Sequence, residues 1–363
     1  MWLPNNKGRD KPCHYTIITI NHQQELLMSR YLITGGAGFI GSSIAEKLIN
    51  DGHYVRVLDN FFSGKEENLA FAKGLGKDKF ELVRGDIRDT NTCDLACKGM
   101  DYVLHQAALR SVPKSMADPE SYNDVNINGV TTMLQAASRN KIKRLVLASS
   151  SSIYGDTDQF PEKEEHLPLL ISPYALSKLA GEYYCRIFSE FFNVETVCLR
   201  YFNVFGPKQA LDDEYAVVVP KFIHCIINDQ PPPIFGTGKQ SRDFTYIENV
   251  VSANILAATT PGIKHDIFNV ANGKDNTVLD LVDALNRIIG KNIKPKFLPV
   301  RPGDVFRTSA DISRIQKKLN YRPVINFEEG LKKTVEYFKG HQCRQPPPKW
   351  TGKDKACHID QKN

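Results

Sequence analysis

Between Tyr31 and Tyr201 short apolar runs recur at 31–34, 55–59, 80–84, 102–105, 144–149 and 195–201, and the stretches between them space their apolar residues as helices do. Strands separated by helices cannot pair as hairpins. They pair in parallel, with the connecting helices packed on both faces of one sheet. After about Asn203 the regularity breaks, prolines and glycines become frequent, and "YAVVVPKFIHCIIND" and "TVLDLVDALNRIIG" read as shorter helices of a second, smaller region.

The first strand runs directly into "LITGGAGFIG", Leu32 to Gly41. Apolar positions 40, 44, 45, 48 and 49 mark a helix from Phe39 to Ile49, so Gly35, Gly38 and Gly41 sit at a strand-to-helix turn. Glycines spaced G-x-x-G-x-x-G let the backbone turn sharply, approach a pyrophosphate and pack helix against strand, with the helix N-terminus facing the phosphates. The spacing alone also fits a plain connection. The next strand, "YVRVLDN", ends in Asp59, where a carboxylate accepts from both ribose hydroxyls and repels a 2'-phosphate, favouring NAD over NADP. The competing role for Asp59 is to cap the following turn. With "GDI" (Gly85 to Ile87) after the third strand and "HQAA" (His105 to Ala108) after the fourth, the expected fold is α/β, a Rossmann-type doubly wound parallel sheet carrying a smaller mixed α/β substrate-binding domain, with NAD as cofactor.

Composition removes other classes. The 363 residues are 41% hydrophobic, enough for a sizeable core, and the net charge of +6 is interleaved along the chain rather than gathered into the basic stripe that nucleic acid requires. No window approaches the roughly 18 apolar residues of a membrane span, and the start lacks a charged then apolar leader pattern. A cytoplasmic protein with no nucleic-acid or membrane partner is expected. The eight cysteines (Cys13, Cys93, Cys97, Cys185, Cys198, Cys225, Cys343, Cys357) form no C-x-x-C pair and read as buried free thiols, and the scattered histidines predict no metal site.

The fifth strand ends in Ser149 to Ser152, and "SPYALSK" follows downstream. Ligands of open α/β sheets sit at the carboxyl ends of strands. Tyr174 and Lys178 are four apart, so one helical face carries both, and the ammonium with the nicotinamide charge would lower the phenol enough for it to serve as a base. Ser150 would hold or relay a substrate hydroxyl. Separately, each piece also reads as a solvated helix face or a serine turn. Their conjunction after a dinucleotide turn is more specific than any part.

At this point the sequence resembles the extended short-chain dehydrogenase/reductases, and within them the nucleotide-sugar 4-epimerases acting on UDP-glucose and UDP-N-acetylglucosamine. The resemblance covers about residues 30 to 338 and rests on "TGGAGFIG", "DN" at 59, "GDIRD" at 85, "HQAALRSVPKS" at 105, "SSSSIYGD", "SPYALSK", "LRYFNVFGP" at 199, "SRDFTYIENV" at 241 and "RPGDV" at 301. It implies that Ser150, Tyr174 and Lys178 are catalytic. It places Gly35, Gly38, Phe39, Ile40, Gly41, Asp59, Asn60, Gly64, Asp86, Ile87, Gln106, Ala107, Ala108, Asn126 and Phe202, together with Tyr174 and Lys178, around NAD. The UDP-sugar would meet Arg110, Ser150, Ser152, Asn203, Val218, Phe235, Arg242, Arg301, Asp304 and Thr308. Arg242 and Arg301 suit a diphosphate clamp because guanidinium forks match phosphate oxygens, and "PPPIF" ending at Phe235 would give uracil an apolar shelf. The implied layout is an extension over 1–28, an NAD-binding part over 29–205 with a return segment near 241–272, a UDP-sugar part over 206–240 and 273–339, and a loose tail over 340–363.

The implied reaction is removal of the sugar's 4-hydroxyl proton by Tyr174 with hydride transfer to NAD, then return of hydride to the other face of the 4-keto sugar. Sister dehydratases and decarboxylases resemble one another in carrying an acidic residue just after the serine or threonine that precedes "YG"; here Ser151 and Ser152 stand there, which favours epimerisation. Arg110 could pair with a uronate, making UDP-glucuronate 4-epimerase the enzymatic alternative. Thr308 matches the position beside the sugar's C2 substituent, and its small size predicts acceptance of N-acetylated sugars. A non-catalytic dinucleotide sensor of the same fold is the minority reading, because Ser150, Tyr174 and Lys178 are all present. The likeness also implies a homodimer through helices around 115 to 138 and 173 to 192.

Overall fold

The computed structural model describes residues 28–210, 218–300 and 305–341. The expected extension up to residue 27, the tail beyond 341, Arg301 and Asp304, and Cys13, Cys343 and Cys357 lie outside the described residues.

The central sheet contains β1 (Arg30–Thr34), β2 (Tyr54–Asp59), β3 (Phe80–Arg84), β4 (Tyr102–His105), β5 (Arg144–Ser150), β6 (Glu195–Tyr201) and β7 (His265–Val270). All pair in parallel, in the spatial order β7-β6-β5-β4-β1-β2-β3. The order reverses between β1 and β4, which opens a crevice at the carboxyl ends of those strands. The longer helices are α1 (Phe39–Asn50), α2 (Thr90–Cys97), α3 (Gly129–Arg139), α4 (Pro173–Phe191), α5 (Val218–Ile227), α6 (Ile247–Thr259), α7 (Val278–Ile289) and α8 (Phe327–His341).

Strand side chains alternate, so the sheet feeds two cores. Tyr31 and Ile33 enter one, with Ile44 and Leu48 of α1 and Val250 and Ala253 of α6. Leu32 enters the other, with Cys93 and Cys97 of α2, Met133 and Leu134 of α3, and Cys185 of α4. Each fully buried leucine or isoleucine contributes about 1.5–3 kcal/mol, and burial on both faces is why the inner strands β1, β4 and β5 read as largely apolar runs. Cys93, Cys97, Cys185, Cys198 and Cys225 are buried free thiols.

The smaller part pairs strand Pro233–Phe235 in parallel with Lys296–Leu298. Helix α7 begins with a capping box, Asp280 N donating to Thr277 Oγ1 and Thr277 N donating to the Asp280 carboxylate, and stops at Gly290 with φ +81°.

Two features differ from the reading of the sequence. Strand β7 is not among the apolar runs, because its Asp266 and Asn269 are polar; inside the fold Asp266 pairs with Arg314 and Lys318. The helix expected over 115 to 138 is broken into 112–117, 119–123, a wide turn at 124–128 and α3. Asp118 ends the first piece and caps the second, accepting from Ser121 N, and Pro119 lacks the donor that would continue the ladder.

Candidate active site

The glycine turn is shaped mainly by the chain itself. Gly35 has φ +65°, and a Cβ there would lie 2.8 Å from Ala107 N. A Cβ on Gly41 would lie 2.3 Å from Gly35 O, so both glycines are fixed by packing of β1, α1 and the segment after β4. Gly38 differs. A Cβ there would meet only Gly35 O at 3.2 Å, leaving its other side open at the N-terminus of α1. Phe39 and Ile40, in the first turn, pack against the main core.

Asp59, at the end of β2, is 7% exposed. Its Oδ2 accepts from Ala37 N at 2.9 Å and its Oδ1 from Phe61 N at 2.8 Å, so it caps the turn as well as facing the crevice. Each oxygen keeps a further lone pair. A Cβ on Gly64 would lie 2.9 and 3.0 Å from these two oxygens, so the glycine keeps the carboxylate approachable. These openings fit the pyrophosphate and adenosine ribose of a dinucleotide.

Beyond β3, Asn60 Nδ2 donates to Asp86 at 2.9 Å, and Arg88 grips both Asp86 oxygens. That guanidinium holds the Asp86 carboxyl well below the usual range. Ile87 is buried and a Cβ on Gly129 would strike it. After β4, Gln106 N donates to Thr34 O, and Gln106, Ala107 and Ala108 line the reversal point. Asn126 spends its amide on the chain, accepting from Leu109 N and donating to Leu109 O and Ser177 Oγ, so it braces the loop after β4. The Phe202 ring is sealed among Tyr154, Ala271 and Ala310, which leaves only its main chain to face a ligand.

The predicted catalytic residues come together. Ser172 caps α4 by accepting from Ala175 N, with Pro173 in the first turn, and this places Tyr174 beside the end of β5. Ser150 lies close enough to the Tyr174 hydroxyl to lower it, and Ser150 Oγ takes a hydrogen bond from Ser152 Oγ at 2.9 Å. Lys178 lies one turn on, with Nζ 5.9 Å from the Tyr174 ring centre and donating to Ala148 O at 2.8 Å. Burial pushes Lys178 down to about 8. Tyr174 was expected to be lowered; in the protein alone burial raises it, although Ser150 and Arg110 act in the opposite direction. Arg110, itself exposed, is therefore within electrostatic reach of the phenol.

On the far side, Asn203, at φ +27°, donates to Thr308 Oγ1 at 2.9 Å. The Arg242 guanidinium donates to the carbonyls of Ser241, Val305 and Phe306, directly after the undescribed Arg301 to Asp304. Val218 opens α5, and Phe235 ends the short strand, its carbonyl accepting from Gln240.

Sequence reasoning missed the supports beneath. Glu182 and Arg200 form a buried ion pair at 2.8 Å, and Ser149 Oγ donates to Glu182 at 2.6 Å. Buried Glu162 accepts from Ser309 N, and Asp243 from Asn272 N and Gly273 N; burial pushes each carboxyl up to about 7. Their partners lie tens of residues away, so no local spacing announces them. His105 shares a hydrogen bond with Thr34 Oγ1, while its Nε2 is buried without a partner, and burial followed by the nearby Lys178 charge pushes it down to about 3. Among the described residues, no cluster of His, Cys, Asp or Glu is placed to hold a metal ion, and no helix is long and apolar enough to cross a membrane.

Known proteins share this fold. The UDP-N-acetylglucosamine 4-epimerase of Methanobrevibacter ruminantium, solved with UDP-N-acetylmuramic acid, is 40% identical with a TM-score of 0.81 over 86% of this chain and 99% of its own. The UDP-glucose 4-epimerase of Thermus thermophilus, solved with NAD, is 34% identical with a TM-score of 0.77 over the same shares. The UDP-glucuronate 4-epimerase of Thermodesulfobacterium geofontis is 34% identical over 320 residues, 86% of this chain and 97% of its own. Residues 31–271 match the model of the NAD dependent epimerase/dehydratase family, and the chain belongs to that family.

Proposed function

We propose that this chain is a 4-epimerase of UDP-hexoses that accepts 2-acetamido sugars, UDP-N-acetylglucosamine among them, as well as UDP-glucose. The observation that carries the reading is that Tyr174, with Lys178 Nζ 5.9 Å from its ring, is brought beside Ser150 at the carboxyl end of β5. Held over Gly38, Asp59 and Gln106, NAD would supply the site with a hydride acceptor and donor for C4 of the sugar. Tyr174 Oη removes the 4-hydroxyl proton and later gives it back, Ser150 Oγ holds that oxygen, and the Lys178 ammonium favours the phenolate.

Gly38, Asp59, Gly64, Asp86 and Gln106 serve the cofactor in this proposal, on a turn that Gly35 and Gly41 shape by packing, with residues 29–205 and the return through about 241–272 forming its domain. The UDP-sugar lies against 206–240 and 273–339, with Asn203, Phe235, Arg242 and Thr308 around it. Ser151 and Ser152 supply no carboxylate after Ser150, which argues against dehydration and decarboxylation. Thr308 is a small residue whose Oγ1 is already engaged by Asn203, which favours room for an acetamido group. The electrostatic reach of Arg110 to Tyr174 supports a second substrate, UDP-glucuronate.

The test incubates the protein without added hydride donor with each of UDP-N-acetylglucosamine, UDP-glucose and UDP-glucuronate, and resolves products by chromatography and proton NMR. The matching galacto sugars from the first two are expected. Turnover of UDP-glucose without UDP-N-acetylglucosamine sinks the acetamido reading; turnover of UDP-glucuronate alone selects the second; no turnover with NAD bound selects a sensor.

A further inference from the structure

Tyr201, the last residue of β6, and Asn254, inside α6, form a buried hydrogen-bonded triangle with Gln106 that crosses over β5. Asn254 is fully buried and Tyr201 is 9% exposed. The chain itself sets how both amides point, while the Tyr201 hydroxyl has two acceptors at 3.1 Å, Gln106 Oε1 and Asn254 Oδ1. Val250 O only accepts, so the Asn254 atom 2.8 Å from it is Nδ2. Asn254 Oδ1 is thereby aimed at Gln106, whose Nε2 donates to it at 3.0 Å. Gln106 Oε1 then faces the Tyr201 hydroxyl at 3.1 Å, and that hydroxyl accepts from Asn254 Nδ2 at 2.8 Å. A helix carbonyl thus dictates which way the Gln106 amide points, at the point where the sheet order reverses and where Ala107 abuts Gly35. One Nε2 hydrogen and one Oε1 lone pair of Gln106 remain to be used, in a fixed orientation.

We propose that Asn254 and Tyr201 are positioning residues that act through Gln106 to hold the bound dinucleotide, a role that rests on the reading of Gln106 as a cofactor contact.

The experiment measures how fast NAD leaves the full-length holoprotein on dilution. Tyr201→Phe and Asn254→Leu are each expected to speed release about three- to tenfold, the scale of one lost hydrogen bond, with KM for the UDP-sugar within twofold of the parent. In a Gln106→Ala background neither substitution speeds release further, because the group they orient is gone. Tyr201→Phe removes one hydroxyl and keeps the packing, so it stands as the test if Asn254→Leu does not fold. The proposal is overturned if the effects add in the Gln106→Ala background, if release and KM for the sugar shift together, or if Gln106→Ala alone releases NAD at the parent rate. In that last case continued epimerisation by Gln106→Ala leaves the functional reading standing, whereas a parent protein without turnover defeats the reading itself.

Discussion

Tyr174 has burial working against the proposed use as a base, and groups outside its own helix, Ser150 and Arg110, act in the opposite direction. Burial raises the phenol, these two groups act to lower it, and the Lys178 ammonium sits one turn away, itself lowered to about 8. Tyr174→Phe keeps the ring and its edge-on contact with Tyr122 but removes the proton acceptor. Turnover should fall about 10²- to 10⁴-fold while NAD stays bound, read as product by NMR and as dinucleotide released on denaturation. Retained turnover would remove Tyr174 from the chemistry. The glycines make a paired prediction. An alanine at Gly41 would drive its Cβ to 2.3 Å from Gly35 O, so Gly41→Ala should lower the melting temperature sharply or prevent folding. Gly38→Ala, with φ −77° and only Gly35 O nearby, should melt like the parent and weaken NAD by about tenfold, near 1.4 kcal/mol. Equal loss of stability in both would mean that Gly38 also serves packing alone.

The loop between Gly155 and Ser172, which follows Ser149 to Ser152, is latched to the segment after residue 304 by Glu162. Glu162 N donates to Ser309 O, Asp311 N donates to Glu162 O, and the Glu162 side chain accepts from Ser309 N at 2.6 Å. Burial brings this carboxyl to about 7 against an ordinary 4.5. From about pH 5 to 7 the folded chain therefore keeps a proton that the unfolded chain has released, and stability from this group is lost as pH rises. Glu162→Gln removes that titration. Its melting temperature relative to the parent should climb between pH 5 and 8, by a free energy of at most roughly 3 kcal/mol at about 1.4 kcal/mol per unit. A difference that stays constant with pH would show that Glu162 is charged throughout. This latch was illegible in the sequence because its partner is 147 residues away. Strands β1, β2, β4, β5 and β6 were legible because burial on both faces leaves a largely apolar run, whereas the edge strand β3, partly exposed throughout, shows only Phe80, Leu82 and Val83. Ser150, Tyr174 and Lys178 were legible because their geometry is local, one strand end and one helical turn. Strand β7 was not, since Asp266 and Asn269 look like loop residues until Arg314, Lys318 and the carbonyls of Glu162 and Asp311 close around them.

At the scale of the whole molecule, α4 presents two unlike faces. Inward it carries Lys178 and Cys185 into the sheet; outward, Leu176, Tyr183, Ile187 and Phe191 form one stripe at i, i+7, i+11 and i+15, exposed by 49, 57, 42 and 72%. A stripe of large apolar side chains this continuous has the character of an interaction surface. A second copy meeting it about a two-fold axis would cover both stripes at once and stiffen the helix whose first turn holds Tyr174. The parent protein should therefore sediment at about twice 40.9 kDa at micromolar concentration. Tyr183→Glu combined with Ile187→Glu places each new carboxylate close to its symmetry copy in a desolvated interface, where neither finds a countercharge, so this variant should sediment as a monomer. A parent that sediments as a monomer would refute the pairing, and a variant that remains dimeric would move the interface to another face. Because both side chains are more than a third exposed in the single chain, the substitutions leave the fold's own core intact, and any loss of turnover in the monomer would measure what the partner helix contributes to holding Tyr174 in place.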